Sequence, residues 1–291
     1  MEPLFRPVNT PPRAAATVVL LRDGEHGPEV MMVRRHGGSE VLGGAYVFPG
    51  GKLDEHDSDE ALLARAGAPP EALQARLGEH ALEARIAAGL FVAACRETVE
   101  EACVLLARGA DGELAGRVHR HLHAGAAFGA VLAQLGLELA SETLVPWSRW
   151  ITPRVPALMN RRFDTRFFVA ALPPGQQARH DGREVTESVW IAPHAALQRY
   201  RRGEMLLVPA QIMTLDHVGR HASVASVLEE AGRRPPLVVE PESFEDEGVR
   251  TMVYPGDERH PVRTRAMPGP TRLVMRGPLF EPPEGFDAFL D

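Results

Sequence analysis

The segment Leu90–Leu106, LFVAACRETVEEACVLL, constrains this chain more than any other, because it reads as a helix with one apolar side and one side of carboxylates. At about 100° per residue, Glu97, Glu100 and Glu101 stand at i, i+3 and i+4 within an arc of roughly 100°. Val92, Cys95, Val99, Ala102 and Leu106 fall opposite them. Such a helix must pack one face on a core and keep its acids together on the other. Like charges at these spacings cost about 0.2–0.5 kcal/mol per pair, so the cluster calls for a compensating cation. Mg2+ and Mn2+ are hard ions that take oxygen ligands and bridge carboxylates to phosphates. The plain alternative is a solvated acidic face.

A second stretch, PGGKLDEHD (Pro49–Asp57), lies upstream and supplies a glycine turn whose backbone can approach a ligand closely. Around these two segments the pattern alternates between classes. ATVVLLRDG and PEVMMVRRHGG read as a strand pair, and GGAYVFPGG as a short strand entering the turn. From Ser58 the texture is helical, with PPEALQARLG opening on prolines and the long acidic helix running on toward Gly109, since a left-handed cap at Cys103 would suit glycine better. Strands return in LVPWSRWITP, RRFDTRFFVAAL and EVTESVWIAP, followed by helices up to RRPP. Residues 236–291 are rich in Pro, Gly and charge and read as a small C-terminal β appendage to a main domain of residues 1–235.

Charge and cysteines exclude several classes. With 32 Lys+Arg against 39 Asp+Glu, the net charge of −7 argues against a nucleic-acid partner, which needs a clustered basic surface. AAATVVLL (Ala14–Leu21) is too short to span a bilayer, so no membrane partner is expected. Cys95 and Cys103 would sit about 12 Å apart on one helix and cannot pair, so a cytoplasmic location is expected. A homodimer is left open.

Taken together, Gly51, Asp57, Arg96, Glu97, Glu100 and Glu101 resemble the Nudix box: Gly, five residues, Glu, seven residues, then Arg-Glu-aliphatic-x-Glu-Glu-x-Gly-aliphatic. Asp57 replaces the first Glu, Thr98 the first aliphatic residue and Cys103 the late Gly. The seven-residue spacer is replaced by 38 residues, Ser58 to Cys95, an insertion that costs little if its ends stay close, since loop closure grows only logarithmically with length. This arrangement, with WITP (Trp150–Pro153) and RRFDTRFF (Arg161–Phe168), is similar to the coenzyme A diphosphatase-like Nudix branch. The resemblance implies an α/β fold, an α/β/α sandwich around a mixed sheet with a helical insertion. It also implies Mg2+- or Mn2+-dependent hydrolysis of a nucleoside diphosphate conjugate, coenzyme A or an acyl-coenzyme A first, with ADP-ribose or a dinucleotide as alternatives. Glu97, Glu100 and Glu101 become metal ligands with the Gly51 carbonyl, and Glu100 and Glu101 also catalytic residues. Arg96, Gly50 and Asp57 become structural members of the motif.

Other residues extend that reading. Glu184 or Glu187 could supply a general base from a loop, with surface charges as the bland alternative. Arg34, Arg35, Arg161 and Arg162 are candidates for substrate phosphate, because the guanidinium fork suits it and strand alternation turns one of each pair inward. His119, His121 and His123 have a spacing of two, which spreads them over different helix faces and argues against zinc. Trp147, Trp150 and Trp190, with Met31 and Met32, read as core or interface. An inactive Nudix domain that binds a nucleotide or a protein is the competing class. A di-iron carboxylate protein would need paired Glu-x-x-His motifs, which the sequence lacks.

Overall fold

A computed structural model describes residues 8–38, 42–155, 161–180, 182 and 185–289. Strands β1 (Arg13–Gly24) and β2 (Gly27–Arg35) form the expected hairpin, followed by β3 (Tyr46–Val47) and β4 (Gly50–Lys52). Three helices come next: α1 (Glu60–Leu63), α2 (Pro70–Leu77) and α3 (Ala84–Ala102). Helices α4 (Gly112–His123) and α5 (Phe128–Leu135) lead into β5 (Val145–Ile151), β6 (Phe163–Ala171) and β7 (Val185–Ile191). Then follow α6 (Pro193–Arg201), α7 (Pro209–Val218) and α8 (Val224–Arg233). The chain closes with β8 (Leu237–Val239), β9 (Glu242–Asp246), β10 (Val249–Val253), β11 (Arg272–Arg276) and β12 (Leu279–Glu281).

The large mixed sheet runs β3-β2-β1-β6-β5-β8, with β4 also on β1 and β7 on the outer edge of β2. Its central feature is a split. β1 and β2 pair antiparallel only from Leu21↔Val30 to Gly24↔Gly27, and then they diverge. The short segment from β3 to β4 fills the wedge: Val33 pairs with Val47, while Ala16 pairs with Gly51. The glycine turn is thereby fixed between two strands, with the Val18 N–H donating to Pro49 O at 2.9 Å.

Alternation along β1 feeds two cores. Ala16, Val18 and Leu20 face a layer that includes Phe91, Val92, Cys95 and Val99 of α3, whereas Val19 and Leu21 face Leu197, Ile212 and Leu215 of α6 and α7. Met31 joins the first core and Met32 and Trp147 the second, as expected for core residues. The sheet is therefore the middle layer of an α/β/α arrangement. The separate small antiparallel sheet is β12-β11-β10-β9. The C-terminal region set at 236–291 gives its first strand, β8, to the large sheet, parallel to β5. Its Met252, Tyr254, Phe280 and Phe286 pack into the second core.

Helix α3 is longer at its start and shorter at its end than the sequence suggests. Residues 84–95 of the inserted stretch form its first three turns, so the insertion extends the acidic helix as well as preceding it. The expectation that it continues toward Gly109 is corrected: it stops at Ala102, with Cys103 left-handed at φ 55°. The reason lies beyond the helix. Gln176 takes both amide groups of Leu105, accepting its N–H at 2.8 Å and donating to its carbonyl at 2.9 Å, and this holds an extended run that buries Val104, Leu105 and Leu106. That burial offsets the cost of a non-glycine residue in the left-handed region.

Candidate active site

The two halves of the acidic motif meet through one buried arginine. Arg96 donates from Nε and Nη2 to the two carboxylate oxygens of Asp57, at 2.8 and 2.9 Å. Asp57 is buried in a 3₁₀ turn, where it also accepts the Asp54 N–H at 2.8 Å. This bidentate pair joins the ends of the 38-residue insertion, Ser58 to Cys95, so the long loop closes at the point where it begins. Glu79, within the insertion, is clamped onto the sheet by Arg166 (Nε to Oε1, 2.9 Å) and Arg149 (3.0 Å).

Arg96 also orders the acidic face of α3, its Nη1 bridging Glu97 at 2.8 Å and Glu100 at 2.9 Å. Glu101 is buried; its carboxylate accepts the Gly50 N–H at 3.0 Å and lies 3.7 Å from Arg35. Both turn positions are short of room, Gly50 against fixed backbone and Gly51 against the end of a side chain that would have to shift. A Cβ on Gly50 would stand 2.5 Å from Ala16 O, and one on Gly51 would overlap the Glu97 carboxylate. Arg96 is held above its ordinary pKa: burial alone would lower it, but Asp57, Glu97 and Glu100 outweigh that. Glu97 is raised well above the usual carboxylate range, by burial first and by Glu100 beside it, against the pull of Arg96.

These groups edge a cleft of about 590 Å³. Glu97, Glu100, Glu101, Gly50 and Gly51 line one part of it, with Arg35, Lys52, Arg13 and Arg161 as cations. Phe48, Trp150, Phe167, Val208 and Met252 supply apolar lining. Three carboxylates of one helix line the cleft together, Glu97 and Glu100 held by Arg96 and Glu101 by the Gly50 N–H beside Arg35. That donor set suits a hard divalent cation with oxygen ligands, to be held by Glu97, Glu100 and Glu101.

The structure sorts the remaining candidates. Alternation turns Arg35 toward Glu101, whereas Arg34 points outward beside Glu187 at 3.8 Å and does not line the cleft. Arg161 lines it. Arg162, expected on substrate phosphate, is instead buried and engaged, donating to Thr152 O at 2.8 Å and to Glu240 at 3.1 Å. Arg161 and Arg162 both precede β6, which begins at Phe163, so the expected strand alternation does not apply to them, and the bonds to Thr152 and Glu240 fix Arg162. Glu187 accepts from Tyr46 Oη at 2.8 Å, away from the cleft lining, and Glu184 lies outside the described residues. The expected spread of the histidines is corrected for two of them: His119 and His123, four residues apart, share one face of α4 with ring centroids 4.1 Å apart, and neither lines the cleft. Trp190 lies outside the lining under the Arg22 guanidinium, while Trp150, read as core or interface, forms part of the cleft wall.

Sequence reasoning missed Arg13, Lys52, Phe48, Gln211, Pro241 and Met252 as lining residues. Pro209, a helix-start signal at the first position of α7, was the one local hint of the 208–211 wall. Nothing local marks Pro241 or Met252.

The description "NUDT19 Nudix domain" matches this chain over residues 12–218. An acyl-coenzyme A diphosphatase NUDT19 from Xenopus laevis is 31% identical over 127 residues, covering 40% of this chain and 32% of that protein. The one from Gallus gallus is 27% identical over 233 residues, covering 64% of this chain and 60% of that protein. The matches thus span less than two thirds of either curated relative. A crystal structure of a NUDIX hydrolase from Alicyclobacillus acidocaldarius is similar at a TM-score of 0.59 and 32% identity, covering 78% of this chain and 98% of that one.

Proposed function

The chain belongs to the Nudix hydrolases, in the branch described by the NUDT19 Nudix domain, and on that premise we propose that it hydrolyses the pyrophosphate of coenzyme A or an acyl-coenzyme A. The supporting observation is the gathering of Glu97, Glu100 and Glu101 against the Gly50–Gly51 turn at the edge of a cleft that also carries arginines. Curated relatives named acyl-coenzyme A diphosphatase favour this substrate class over other nucleotide conjugates.

Nudix hydrolases generally need divalent metal ions, and Mg2+ or Mn2+ is the proposed cofactor here. Bound beside the acids, the ion would neutralise pyrophosphate charge and favour attack by water. The protein's own groups do the rest. Glu101, buried on α3, and Glu97, partly buried beside it, fix the anionic side of the site, and the Gly50 N–H orients Glu101. Glu100, the most exposed of the three, accepts the proton of the attacking water. Arg35 and Arg161 orient the phosphates by bidentate hydrogen bonds. Arg96 and Asp57 act through position, holding the helix against the turn.

The test is a product analysis. Purified protein with Mg2+ or Mn2+ is given coenzyme A, acetyl-coenzyme A, ADP-ribose, NADH and a nucleoside triphosphate, and the products are identified by mass. Release of adenosine 3′,5′-bisphosphate from the coenzyme A compounds supports the proposal. Cleavage of ADP-ribose with coenzyme A untouched would overturn the substrate assignment and keep the reaction.

A further inference from the structure

Two cations of the cleft have no part in the hydrolytic machinery. Arg13 opens β1 and Lys52 ends β4, and both are exposed residues that line the cavity. Among the described residues, neither side chain makes an ion pair or a hydrogen bond. Asp54, two residues past Lys52, gives its carboxylate to the His56 N–H at 3.1 Å and senses Lys52 only through space. Arg96 and Arg35, in the same lining, are by contrast set against carboxylates.

Strand register brings this pair together and turns it away from the acids. Lys52 stands opposite Ala15 in the antiparallel β1–β4 ladder, so the two share a face, and Arg13, two residues before Ala15, shares it too. Diagonal neighbours of this kind lie about 7–8 Å apart, a span that two long side chains close around one phosphate. Gly51 has the opposite sense, since a Cβ there would meet the Glu97 carboxylate. β4 therefore separates the acids of α3 from the two cations. An aromatic floor continues from the cations across the sheet. Phe163 pairs with Arg13, Thr165 with Ala15 and Trp150 with Thr165, and Trp150 lies tilted against Phe167 at 6.2 Å.

We infer that Arg13 and Lys52 form a second anion subsite, for a phosphate monoester carried on the ribose of the substrate's nucleotide half. Such a group accepts charge-assisted hydrogen bonds from both cations, and the aromatic side chains beside them suit a stacked base. Unpaired cations on the face away from the metal-binding acids serve a phosphate other than the one under attack. In coenzyme A that group is the 3′-phosphate, which dephospho-coenzyme A and ADP-ribose lack. The pair thereby sets the preference among nucleoside diphosphate conjugates. The inference rests on the proposed substrate class.

The experiment measures kcat/KM for coenzyme A and for dephospho-coenzyme A, in Mg2+, with wild type and the double variant Arg13→Gln, Lys52→Gln. Wild type should favour coenzyme A about tenfold or more, and the double variant should bring that ratio to within about twofold of one, mainly through KM. Each single variant should give an intermediate ratio and serves if the double variant folds poorly. A wild-type ratio near one overturns the subsite. So does a double variant that keeps the wild-type ratio, and equal losses on both substrates would assign the pair to the pyrophosphate instead. Calorimetric titration with adenosine 3′,5′-bisphosphate and with adenosine 5′-monophosphate, in Mg2+, separates the subsite from the reaction. Tighter binding of the bisphosphate that the double variant loses, in a protein that hydrolyses no coenzyme A, would overturn the function and leave the subsite standing. Equal affinity for the two nucleotides, or binding of neither, overturns the subsite as well.

Discussion

Two buried polar clusters in this molecule use the same residue types to opposite ends. At the α7–α8 junction, His217 and His221 place Nε2 atoms 3.0 Å from the two oxygens of Glu230, and Arg234 donates to the same carboxylate at 2.7 Å. At the cleft, Asp57, Glu97, Glu100 and Glu101 share Arg96 and Arg35. Among the described residues, only the first cluster brings three potential ligand atoms within 4.8 Å of one another. Proximity there records mutual satisfaction: each imidazole meets a carboxylate oxygen, and the guanidinium, which also lies over Trp147, would repel a cation. At the cleft, Arg96 holds Glu97 and Glu100 while Glu101 rests on the Gly50 N–H and Arg35, so three acids of one helix line a cavity without closing on one another. Acids that line a cavity, more than a tight cluster closed on itself, mark a place for a ligand.

The sharpest way to break this comparison is to neutralise one acid in each cluster. Glu101→Gln should lower kcat about 10²- to 10³-fold with folding intact by circular dichroism, while Glu230→Gln should leave kcat unchanged. Equal losses in the two variants would erase the distinction. Next in size, Arg96→Leu should destabilise the protein by about 3 kcal/mol in urea unfolding, because it strands the buried Asp57 and releases both ends of the insertion. A change under about 1 kcal/mol would show that the insertion closes without this pair. Smaller again, Glu230→Gln should lower stability by about 1 kcal/mol, the scale of a charge-assisted bond discounted for partial exposure.

The clusters also predict opposite pH limbs. Burial lowers His217 from 6.5 to about 4, so between these values the unfolded chain binds more protons. Its contribution is present above pH 6.5 and lost as pH falls through 4, and His217→Gln should flatten that limb. Glu97 is raised from 4.5, by burial first, so in metal-free protein its contribution is present below 4.5 and fades as pH rises toward neutrality. Divalent metal should therefore raise the melting temperature more at pH 8 than at pH 5.5. Equal shifts at both values would remove Glu97 from the metal site.

Legibility followed the range of the interactions involved. The strand pair, the glycine turn, the proline-led helices and the acidic face of α3 each rest on local periodicity or turn chemistry and could be read directly. The end of α3 could not, since Gln176, more than 70 residues away, decides that Leu105 is extended. Arg34 and Arg35 were equivalent as sequence until pairing with β7, which shifts register between them, set one outward and one inward.

What the sequence determined by itself was the chemistry: an arginine and three glutamates at helical spacing, with a glycine turn too small in side chain to obstruct them. Local covalent geometry fixes which of those groups share a helix face, whatever the remainder of the chain does. Only the tertiary structure decided which distant segments complete the cleft. The wedge between β1 and β2 sets the turn against α3, the Asp57–Arg96 pair closes the insertion, and α7 and the C-terminal region bring Gln211, Pro241 and Met252 to the same cavity. Those placements depend on packing between elements far apart in the chain, and no periodicity along the sequence encodes it.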